Sequence, residues 1–322
     1  MITNEDVILA YRLLLGREPE SVDVVNNLCQ NVHDYEQLRE SFLQSPEFLQ
    51  KISASIGAQQ NIRLRNPTLP RIPVEVDVTE TQLAKMFSRI AQEWEALAKN
   101  DPYWSVLTQP QYRAGEYDNN RDQFFTSGKA AVDVFLATLR RNGINQNDLQ
   151  SCLEVGCGVG RVSMYLAPVF SELIASDISE GHIKLAEQYT SKAGLDNVTF
   201  LHFSDLESIH SLPRVDSVFS IITLQHNPPP IMVWIFKKLL NSLNPKGVAY
   251  IQIPTYRSGY LFEVERYLHS PIEPTLEMHF LPQYEVFKCI QDSDCICLEV
   301  KEDGMVDENQ QIQSNSFLIQ KN

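Results

Sequence analysis

The stretch that decides the fold runs from Ser151 to Asp177 and reads SCLEVGCGVGRVSMYLAPVFSELIASD. A short apolar run, Cys152 to Val155, is typical of a buried strand. A glycine-rich turn, a helix-like segment and a second strand ending at Asp177 follow it. Glycines at such spacing allow a tight turn and the close approach of a ligand, and an acidic residue about 20 positions later accepts hydrogen bonds from ribose hydroxyls. The stretch therefore predicts one βαβ unit that binds a nucleoside.

The spacing of the glycines indicates which nucleoside. Gly156, Gly158 and Gly160 form the pattern G-x-G-x-G, whereas the dinucleotide pattern G-x-G-x-x-G requires a glycine where Arg161 stands. Glu154 directs a carboxylate toward the site, which repels a pyrophosphate and attracts an ammonium or a sulfonium. S-adenosylmethionine carries both positive groups. The alternative is a glycine turn that serves only close packing, and the flanking strand and the spaced acid favour the ligand.

The same stretch resembles the first motif of the class I methyltransferases, an acidic residue followed by G-x-G-x-G. The resemblance implies an α/β fold: a Rossmann-like, mostly parallel sheet with helices on both faces and a last strand that inserts antiparallel. It implies S-adenosyl-L-methionine as the cofactor, with Glu154 and the loop 156–160 at the methionine part, Asp177 at the ribose and Ile178 on the adenine face. Asp205 matches the position that accepts from the adenine amino group, although a carboxylate there is also a common helix cap.

The α/β alternation continues after the first unit. The patterns predict a helix over 182–193, strands over 198–202 and 217–223, a helix opened by the prolines 228–230 and a strand over 248–253. Two further strands, near 295–300 and 316–319, would complete the sheet.

Composition narrows the class of protein. The formal net charge of -14 argues against a nonspecific nucleic-acid or anionic-membrane surface. No run approaches the roughly 20 apolar residues of a membrane span, and the first ten residues lack the basic region of an export signal. Six cysteines are scattered without C-x-x-C spacing, so no metal site is predicted. The sequence therefore predicts a cytoplasmic protein without nucleic-acid partners or a membrane span, and it does not define an oligomeric state.

Residues 1–52 are predicted to form a helical module. The segments YRLLLGREP (11–19) and SFLQSPEF (41–48) resemble a small bacterial domain family of unassigned function with the signature YRxLLGRxP. The sequence departs from that family at 20–22, where Glu-Ser-Val replaces the usual Asp and Gly. Because the family often accompanies glycosyltransferases and other glycan enzymes, the resemblance implies glycan-biosynthesis enzymes as partners. A structural cap or an oligomerisation module is the alternative.

Residues 53–80 are predicted to be a linker, because three prolines favour an extended connection over packing. The methyltransferase domain is then predicted over 81–322, with a helical lid over 81–149 and the Rossmann-like core over 150–322. The segments DPYWSVLTQPQYR and FFTSGKAAVDVFLATLRRNGI resemble the N-terminal extension of a subset of these enzymes, whose helices close over the cofactor. Their aromatic residues fit a lid and a plain core equally well.

Two histidines are the candidate catalytic residues. Methyl transfer from a sulfonium requires an aligned acceptor and, for a hydroxyl acceptor, removal of its proton. His226 follows the fourth strand and His279 follows the fifth, and an imidazole titrates near neutral pH. Tyr256 could orient the acceptor, and His182 is interpreted as a packing residue. A lone loop histidine is more often structural, so each assignment competes with that alternative.

The sequence thus predicts an S-adenosylmethionine-dependent methyltransferase that acts on a hydroxyl of a sugar or glycan precursor. The prediction of a sugar or glycan acceptor rests only on the association of the N-terminal family with glycan enzymes. A small-molecule or N-methyltransferase is the alternative enzyme. A noncatalytic module that binds a nucleoside or a glycan is the alternative outside catalysis.

Overall fold

The computed structural model describes residues 2–48, 70–271, 276–305 and 312–322. The chain divides into two compact units, Met1–Leu69 and Pro70–Asn322. The predicted end of the helical module at residue 52 and the linker residues 53–69 lie outside the described residues. Among the helices that are described, none combines the length and the apolar surface needed to cross a bilayer.

The first unit consists of short helices around a small apolar core. Its helices are α1 (Asn4–Ala10), α2 (Val22–Asn31) and α3 (Tyr35–Leu43), and a π-helical turn (Tyr11–Leu15) follows α1. The ring of Tyr11 contacts the ring of Phe42 at a centroid distance of 4.9 Å. Arg17 forms ion pairs with Glu20 and Glu47, each at 2.6 Å. The two segments that resemble the bacterial family therefore lie against each other.

The second unit contains nine of the described helices and one sheet. The helices are α4 (Glu80–Asn100), α5 (Pro102–Val106), α6 (Tyr117–Arg141), α7 (Ser163–Leu166), α8 (Glu180–Lys192), α9 (Leu206–His210), α10 (Pro229–Asn241), α11 (Val264–His269) and α12 (Gln283–Asp292). The strands are β1 (Ser151–Val155), β2 (Glu172–Asp177), β3 (Val198–His202), β4 (Val215–Ser220), β5 (Leu243–Arg257), β6 (Cys295–Glu302) and β7 (Ile312–Lys321).

The sheet has seven strands in the order β3-β2-β1-β4-β5-β7-β6. Strands β1 to β5 pair in parallel, and β7 pairs antiparallel with both β5 and β6. The chain fills the sheet from β1 outward to β3 and then returns to β4 on the other side of β1. The strand order therefore reverses between β1 and β4, which is where open α/β sheets bind ligands. The fold class predicted from the sequence is confirmed, including the antiparallel last strand.

Helices cover both faces of the sheet. One face packs against α4, α10 and α12 in the larger of the two main apolar clusters, and the other packs against α6. The central strands are buried on both faces, which explains why β1 and β5 read as continuous apolar runs rather than as alternating patterns.

Two predicted boundaries differ from the structure. The fourth strand ends at Ser220 and not at Thr223, because Ile222 adopts φ 55° and leaves the extended conformation. The predicted linker reached residue 80, but its described part packs on the second unit: Val74 forms a β-bridge with Phe262. The two described prolines, Pro70 and Pro73, are thus compatible with a segment that packs on the second unit.

Candidate active site

A cavity, called here the glycine-loop cavity, lies at the carboxyl ends of β1, β2 and β4. It is lined by the glycine turn after β1, by the end of β2, by the loop after β4 and by α4 and α5. The side chains used below are Glu154, Arg161, Asp177, Ile178, Trp94 and Val106. Its free volume is about 90 Å³, well below the roughly 300 Å³ of a typical small-molecule pocket. A surface groove of about 780 Å³ along α4 shares Phe87 and Ile178 with it, so a ligand as large as a nucleoside would extend into that groove or part the walls.

Asp177 organises the glycine turn. Its Oδ2 accepts a hydrogen bond from the Gly158 amide at 2.8 Å, and its Oδ1 accepts one from the Ser179 amide at 2.9 Å. The residue is 7% exposed. An ionised carboxylate offers about four acceptor sites, so it can hold the turn and still accept from a ribose hydroxyl.

Close contacts constrain all three glycines of the turn. A Cβ at Gly156, which has φ +78°, would lie 2.1 Å from the Thr223 Oγ1 atom. A Cβ at Gly158, which has φ +54°, would lie 2.6 Å from the Val106 Cγ2 atom of α5. A Cβ at Gly160 would lie 3.2 Å from the Cα and Cβ atoms of Ala186 in α8. Gly158 therefore lets α5 approach the turn. Gly160 lets α8 pack on the turn, so the structure places Gly160 at a helix contact although the sequence assigned it to the cofactor.

Glu154 is a buried carboxyl group at the inner end of the glycine-loop cavity. The hydroxyl of Ser163 donates a hydrogen bond to its Oε2 at 2.6 Å. Burial raises the pKa of Glu154 to about 7, while Ser163 and the Arg161 charge oppose the shift. The carboxyl is thus poised between its neutral and ionised forms at neutral pH, and a cation in the cavity would favour the ionised form.

Arg161 is a site residue that the sequence analysis missed. Its Nη1 donates to Ser127 Oγ at 3.2 Å, and its buried Nε has no hydrogen-bond partner among the described residues. Burial lowers the pKa of the guanidinium, and the Glu154 charge opposes the shift. A buried donor without an acceptor is costly, so this group fits an anionic ligand group. Its signal was present in the sequence, as an arginine directly after the glycine turn.

A second cavity, the histidine cavity, adjoins the first. The two share Ser105, Val106 and Ile222 in their walls. The histidine cavity has a volume of about 430 Å³, and apolar and neutral polar side chains line it: Leu107, Thr108, Gln109, Gln225, His226, Leu276, Met278 and Met305. The described walls thus combine apolar contact with neutral hydrogen-bonding groups, which suits a small polar molecule next to the first cavity.

His226 lies in the wall of the histidine cavity, and its ring is held in place. Its Nδ1 lies 2.9 Å from the carbonyl oxygen of Glu277, and its ring packs against Trp94 at a centroid distance of 5.2 Å. Burial, with a smaller contribution from the charge of His279, lowers the pKa of His226 to about 4, while the bond to the Glu277 carbonyl opposes the shift. The imidazole is therefore neutral at neutral pH, and the amide nitrogen of Gln225 lies 3.2 Å from its Nε2.

His279 lies elsewhere. It is 7% exposed, and its ring nitrogens bond the Tyr260 hydroxyl at 2.9 Å and the Glu277 carboxylate at 3.2 Å. Its backbone amide donates to the Gln225 carbonyl at 2.7 Å. Unlike His226, His279 is not among the described residues that line the histidine cavity. This geometry does not support the prediction that His279 touches the acceptor.

The other two polar residues considered in the sequence analysis are His182 and Tyr256. His182 is fully buried, and its Nε2 lies 3.0 Å from Ser105 Oγ, consistent with its interpretation as a packing residue. The buried hydroxyl of Tyr256 has no hydrogen-bond partner among the described residues.

Ile178 and Asp205 are the two residues that the resemblance assigns to the adenine. Ile178 lines both the glycine-loop cavity and a surface groove along α4, and Asp205 lines only that groove. Asp205 also caps α9, because its Oδ1 accepts from the Ser208 amide at 2.9 Å. The helix-cap alternative for Asp205 is therefore observed, and an exposed carboxylate remains beside Ile178.

Comparison with known proteins identifies part of the second unit. A family model described as a methyltransferase domain matches residues 152–247, which run from β1 into β5. Residues 152–247 are a methyltransferase domain. The cofactor of this domain is S-adenosylmethionine, so the predicted enzyme class and cofactor are confirmed at the level of the domain.

Two crystal structures and one curated protein resemble the methyltransferase domain and its surroundings. Magnesium protoporphyrin IX methyltransferase from Synechocystis PCC 6803 with bound SAH is 17% identical, with a TM-score of 0.52, over 74% of this chain and 100% of that chain. The same protein with bound SAM is 17% identical, with a TM-score of 0.51, over 77% of this chain and 100% of that chain. At this identity the likeness shows the fold.

The curated protein is a tRNA/tmRNA (uracil-C(5))-methyltransferase of Campylobacter jejuni. It is 30% identical over 92 residues, which are 29% of this chain and 25% of that protein. The chain therefore spans about a quarter of the length of this curated relative.

Helix α4 covers the cavity of the methyltransferase domain and is tied on both flanks. On one side, Arg89 donates to the Tyr267 carbonyl at 2.9 Å and forms an ion pair with Glu277 at 2.9 Å. On the other, the Glu95 carboxylate accepts from the Ser179 hydroxyl at 2.8 Å. The cover is thus attached to the segment around α11 and to the start of α8.

The raised pKa of Glu154 should make both the stability of the protein and its binding of S-adenosylhomocysteine depend on pH. Because its folded pKa lies above the unfolded value of 4.5, the stability it contributes is present below pH 4.5 and is lost as the pH rises to about 7. The loss amounts to roughly 3 kcal/mol. An ammonium group bound beside Glu154 favours its ionised form. We therefore expect binding of S-adenosylhomocysteine at pH 6.5 to release a proton, and affinity to rise with pH up to about 7.

Calorimetry in buffers with different heats of ionisation measures that proton release. Glu154→Gln, which cannot ionise, is the matched control and should bind without releasing the proton. Equal proton release by both proteins would mean that another group loses it.

Proposed function

We propose that the protein transfers the methyl group of S-adenosylmethionine to a hydroxyl of a sugar or glycan precursor. The observation that carries the proposal is the junction of two cavities, one at the glycine turn and one lined by His226, which share Ser105, Val106 and Ile222. A methyl donor in the first and an acceptor in the second would meet at that junction.

The charges in the glycine-loop cavity fit the amino-acid part of the cofactor. Glu154 would bind the ammonium group, and the unpartnered Nε of Arg161 would bind the carboxylate in a charge-assisted hydrogen bond. Asp177 would accept from the ribose hydroxyls, Ile178 would pack on the adenine, and Asp205 would accept from the adenine amino group. When bound, S-adenosylmethionine supplies a methyl group already activated by its sulfonium sulfur.

The histidine cavity would hold the acceptor. Neutral polar groups, including Thr108 and Gln109, can exchange hydrogen bonds with sugar hydroxyls, and Leu276 and Met278 can pack on the apolar face of a ring. His226 would take the proton from the reacting hydroxyl as the new bond to oxygen forms. The sugar class is supported by the N-terminal resemblance to a glycan-associated family, and a cytoplasmic location and glycan-biosynthesis partners are part of the same proposal.

The test is a methyl-transfer assay with radiolabelled S-adenosylmethionine over a panel of sugars, lipid-linked glycan precursors, phenols and amines. Transfer to a sugar hydroxyl supports the proposal in full. Transfer to an amine or a phenol keeps the enzyme and replaces the acceptor class. Failure to bind S-adenosylhomocysteine would contradict the proposal.

A substitution at Asp177 tests the cofactor assignment directly. Asp177→Ala should weaken binding of S-adenosylhomocysteine by ~1 to 3 kcal/mol, because it removes a ribose partner and leaves the Gly158 and Ser179 amides unpaired. The measurement is titration calorimetry on the full chain. Asp216→Ala is a matched control, since Asp216 also accepts from two backbone amides, at 2.9 and 3.1 Å, at the opposite end of the sheet.

The control should lose stability and keep its affinity. Unchanged affinity in a folded Asp177→Ala protein would remove the ribose assignment.

A further inference from the structure

A chain of four hydrogen bonds joins strand β5 to the ring of His226. The Ile222 amide donates to Gln252 Oε1 at 2.7 Å. Gln252 Nε2 lies 3.2 Å from Gln225 Oε1, and Gln225 Nε2 lies 3.2 Å from His226 Nε2. His226 Nδ1 lies 2.9 Å from the carbonyl oxygen of Glu277. The chain therefore starts at one backbone group and ends at another.

The two ends fix the direction of every bond between them. A backbone amide only donates and a backbone carbonyl only accepts. Because the Ile222 amide donates, Gln252 must present its oxygen there and its amide nitrogen to Gln225. Gln225 then accepts through its oxygen and donates through its nitrogen to His226 Nε2. At the other end, the carbonyl of Glu277 requires the proton on Nδ1, which agrees with the first result.

The side-chain amides of Gln252 and Gln225 cannot easily exchange the positions of their oxygen and nitrogen. Gln252 is 0% exposed and Gln225 is 3% exposed, so a wrongly turned amide would leave buried groups unpaired. The Gln252 nitrogen also donates to Ser314 Oγ at 2.7 Å. Ile222 itself has φ 55°, an uncommon conformation for a β-branched residue, and its bond to Gln252 supports that turn between the two cavities.

We propose that Gln225, oriented by Gln252, is a positioning residue that keeps His226 protonated at Nδ1 and holds the lone pair of Nε2 by a hydrogen bond until an acceptor hydroxyl takes its place. The proposal rests on the proposed function, in which that nitrogen receives the acceptor's proton. Gln225 and His226 both line the histidine cavity, so an acceptor hydroxyl entering it would displace the Gln225 amide from Nε2 and donate to the same lone pair. After transfer, the Nε2 proton forms the imidazolium while Nδ1 keeps its bond to Glu277.

The charged neighbours of His226 do not provide the same control. His279 lies close enough to oppose its protonation, and the Glu277 carboxylate is bound to His279 and Arg89 rather than to His226. Trp94, on α4, contacts the ring without a charge. Among the described side chains around His226, the amide of Gln225 is therefore the group that forms a hydrogen bond with Nε2.

The experiment is long-range ¹H–¹⁵N NMR on the full chain with ¹⁵N-labelled histidine, with and without S-adenosylhomocysteine. The spectrum reports the tautomer of each of the seven histidines, and His226→Asn assigns the His226 signals. We expect His226 to be protonated at Nδ1 alone near pH 7. Protonation at Nε2 in the unsubstituted protein would overturn the proposal.

Two variants separate the hydrogen bond from the charge. Gln225→Glu places a carboxylate oxygen against Nε2, which should draw a second proton onto the ring and keep His226 charged at pH 7. Gln109→Glu is the matched control, because Gln109 lines the same cavity but bonds Gln111 at 2.7 Å. It should leave His226 neutral.

A neutral His226 in Gln225→Glu, or equal behaviour of the two variants, would overturn the proposal. These outcomes do not depend on methyl transfer, so they remain readable if the proposed function fails. Failure of the function would appear separately, as no affinity for S-adenosylhomocysteine.

Discussion

Replacing His226 by alanine is expected to lower turnover by ~10² to 10⁴-fold with an acceptor found by the panel assay. The reason is that His226 is the described histidine in the wall of the histidine cavity, and its neutral ring can accept a proton. Saturation kinetics should show the loss in kcat, with little change in the affinity for S-adenosylhomocysteine. Because burial lowers the pKa of His226 to about 4, kcat should not vary with its ionisation above about pH 5.5.

His279→Ala is the matched control for this substitution. Like His226, His279 bonds Glu277, but it packs among the rings of Tyr260, Phe262 and Tyr267. The control should lower the melting temperature and keep most of the turnover per folded molecule. Collapse of turnover in His279→Ala alone would reverse the two roles, and normal turnover in both variants would mean that the site uses no histidine base.

Arg161→Met is expected to weaken binding of S-adenosylhomocysteine about 100-fold, or roughly 2.7 kcal/mol. Hydrogen bonds to a buried charged group are strong, and the Nε of Arg161 has no partner in the described part of the chain. Methionine keeps much of the volume and removes the charge. Titration calorimetry measures the loss, and Glu154→Gln reports the effect of the opposite charge at the same site.

The ligand provides the sharpest control for Arg161. 5′-Methylthioadenosine contains the adenine, the ribose and the sulfur but lacks the amino-acid part. Its affinity should be the same in the Arg161→Met and unsubstituted proteins. A parallel loss for both ligands would show that Arg161 shapes the cavity instead of binding the carboxylate.

The sequence predicted most of the sheet, because parallel strands carry a strong local signal. The strand over 198–202 matches the structure at both ends, and the turn after β1 was recognised from three glycines. The end of β4 was overestimated, since the positive φ of Ile222 depends on its bond to Gln252, about 30 residues away in the chain. No local pattern carries such a bond.

The site residues also divide into those with a local signal in the sequence and those whose role depends on distant contacts. Glu154 and Asp177 were predicted because their distance from the glycines is a local property. Arg161 was missed because its importance comes from burial under α6, whose Ser127 binds it. His226 and His279 could not be separated by sequence, because both follow strands, and only their contacts in the fold distinguish them.

The attachment of α4 has a consequence for the order of events in a catalytic cycle. Arg89 and Glu95 hold the helix over a cavity whose free volume is about 90 Å³, so we expect release of the spent cofactor to require at least one of these attachments to break. Opening motions of this kind take microseconds to milliseconds and often limit turnover. The residence time of S-adenosylhomocysteine would then set the pace of the enzyme, and accumulation of this product would slow methylation before the acceptor runs out.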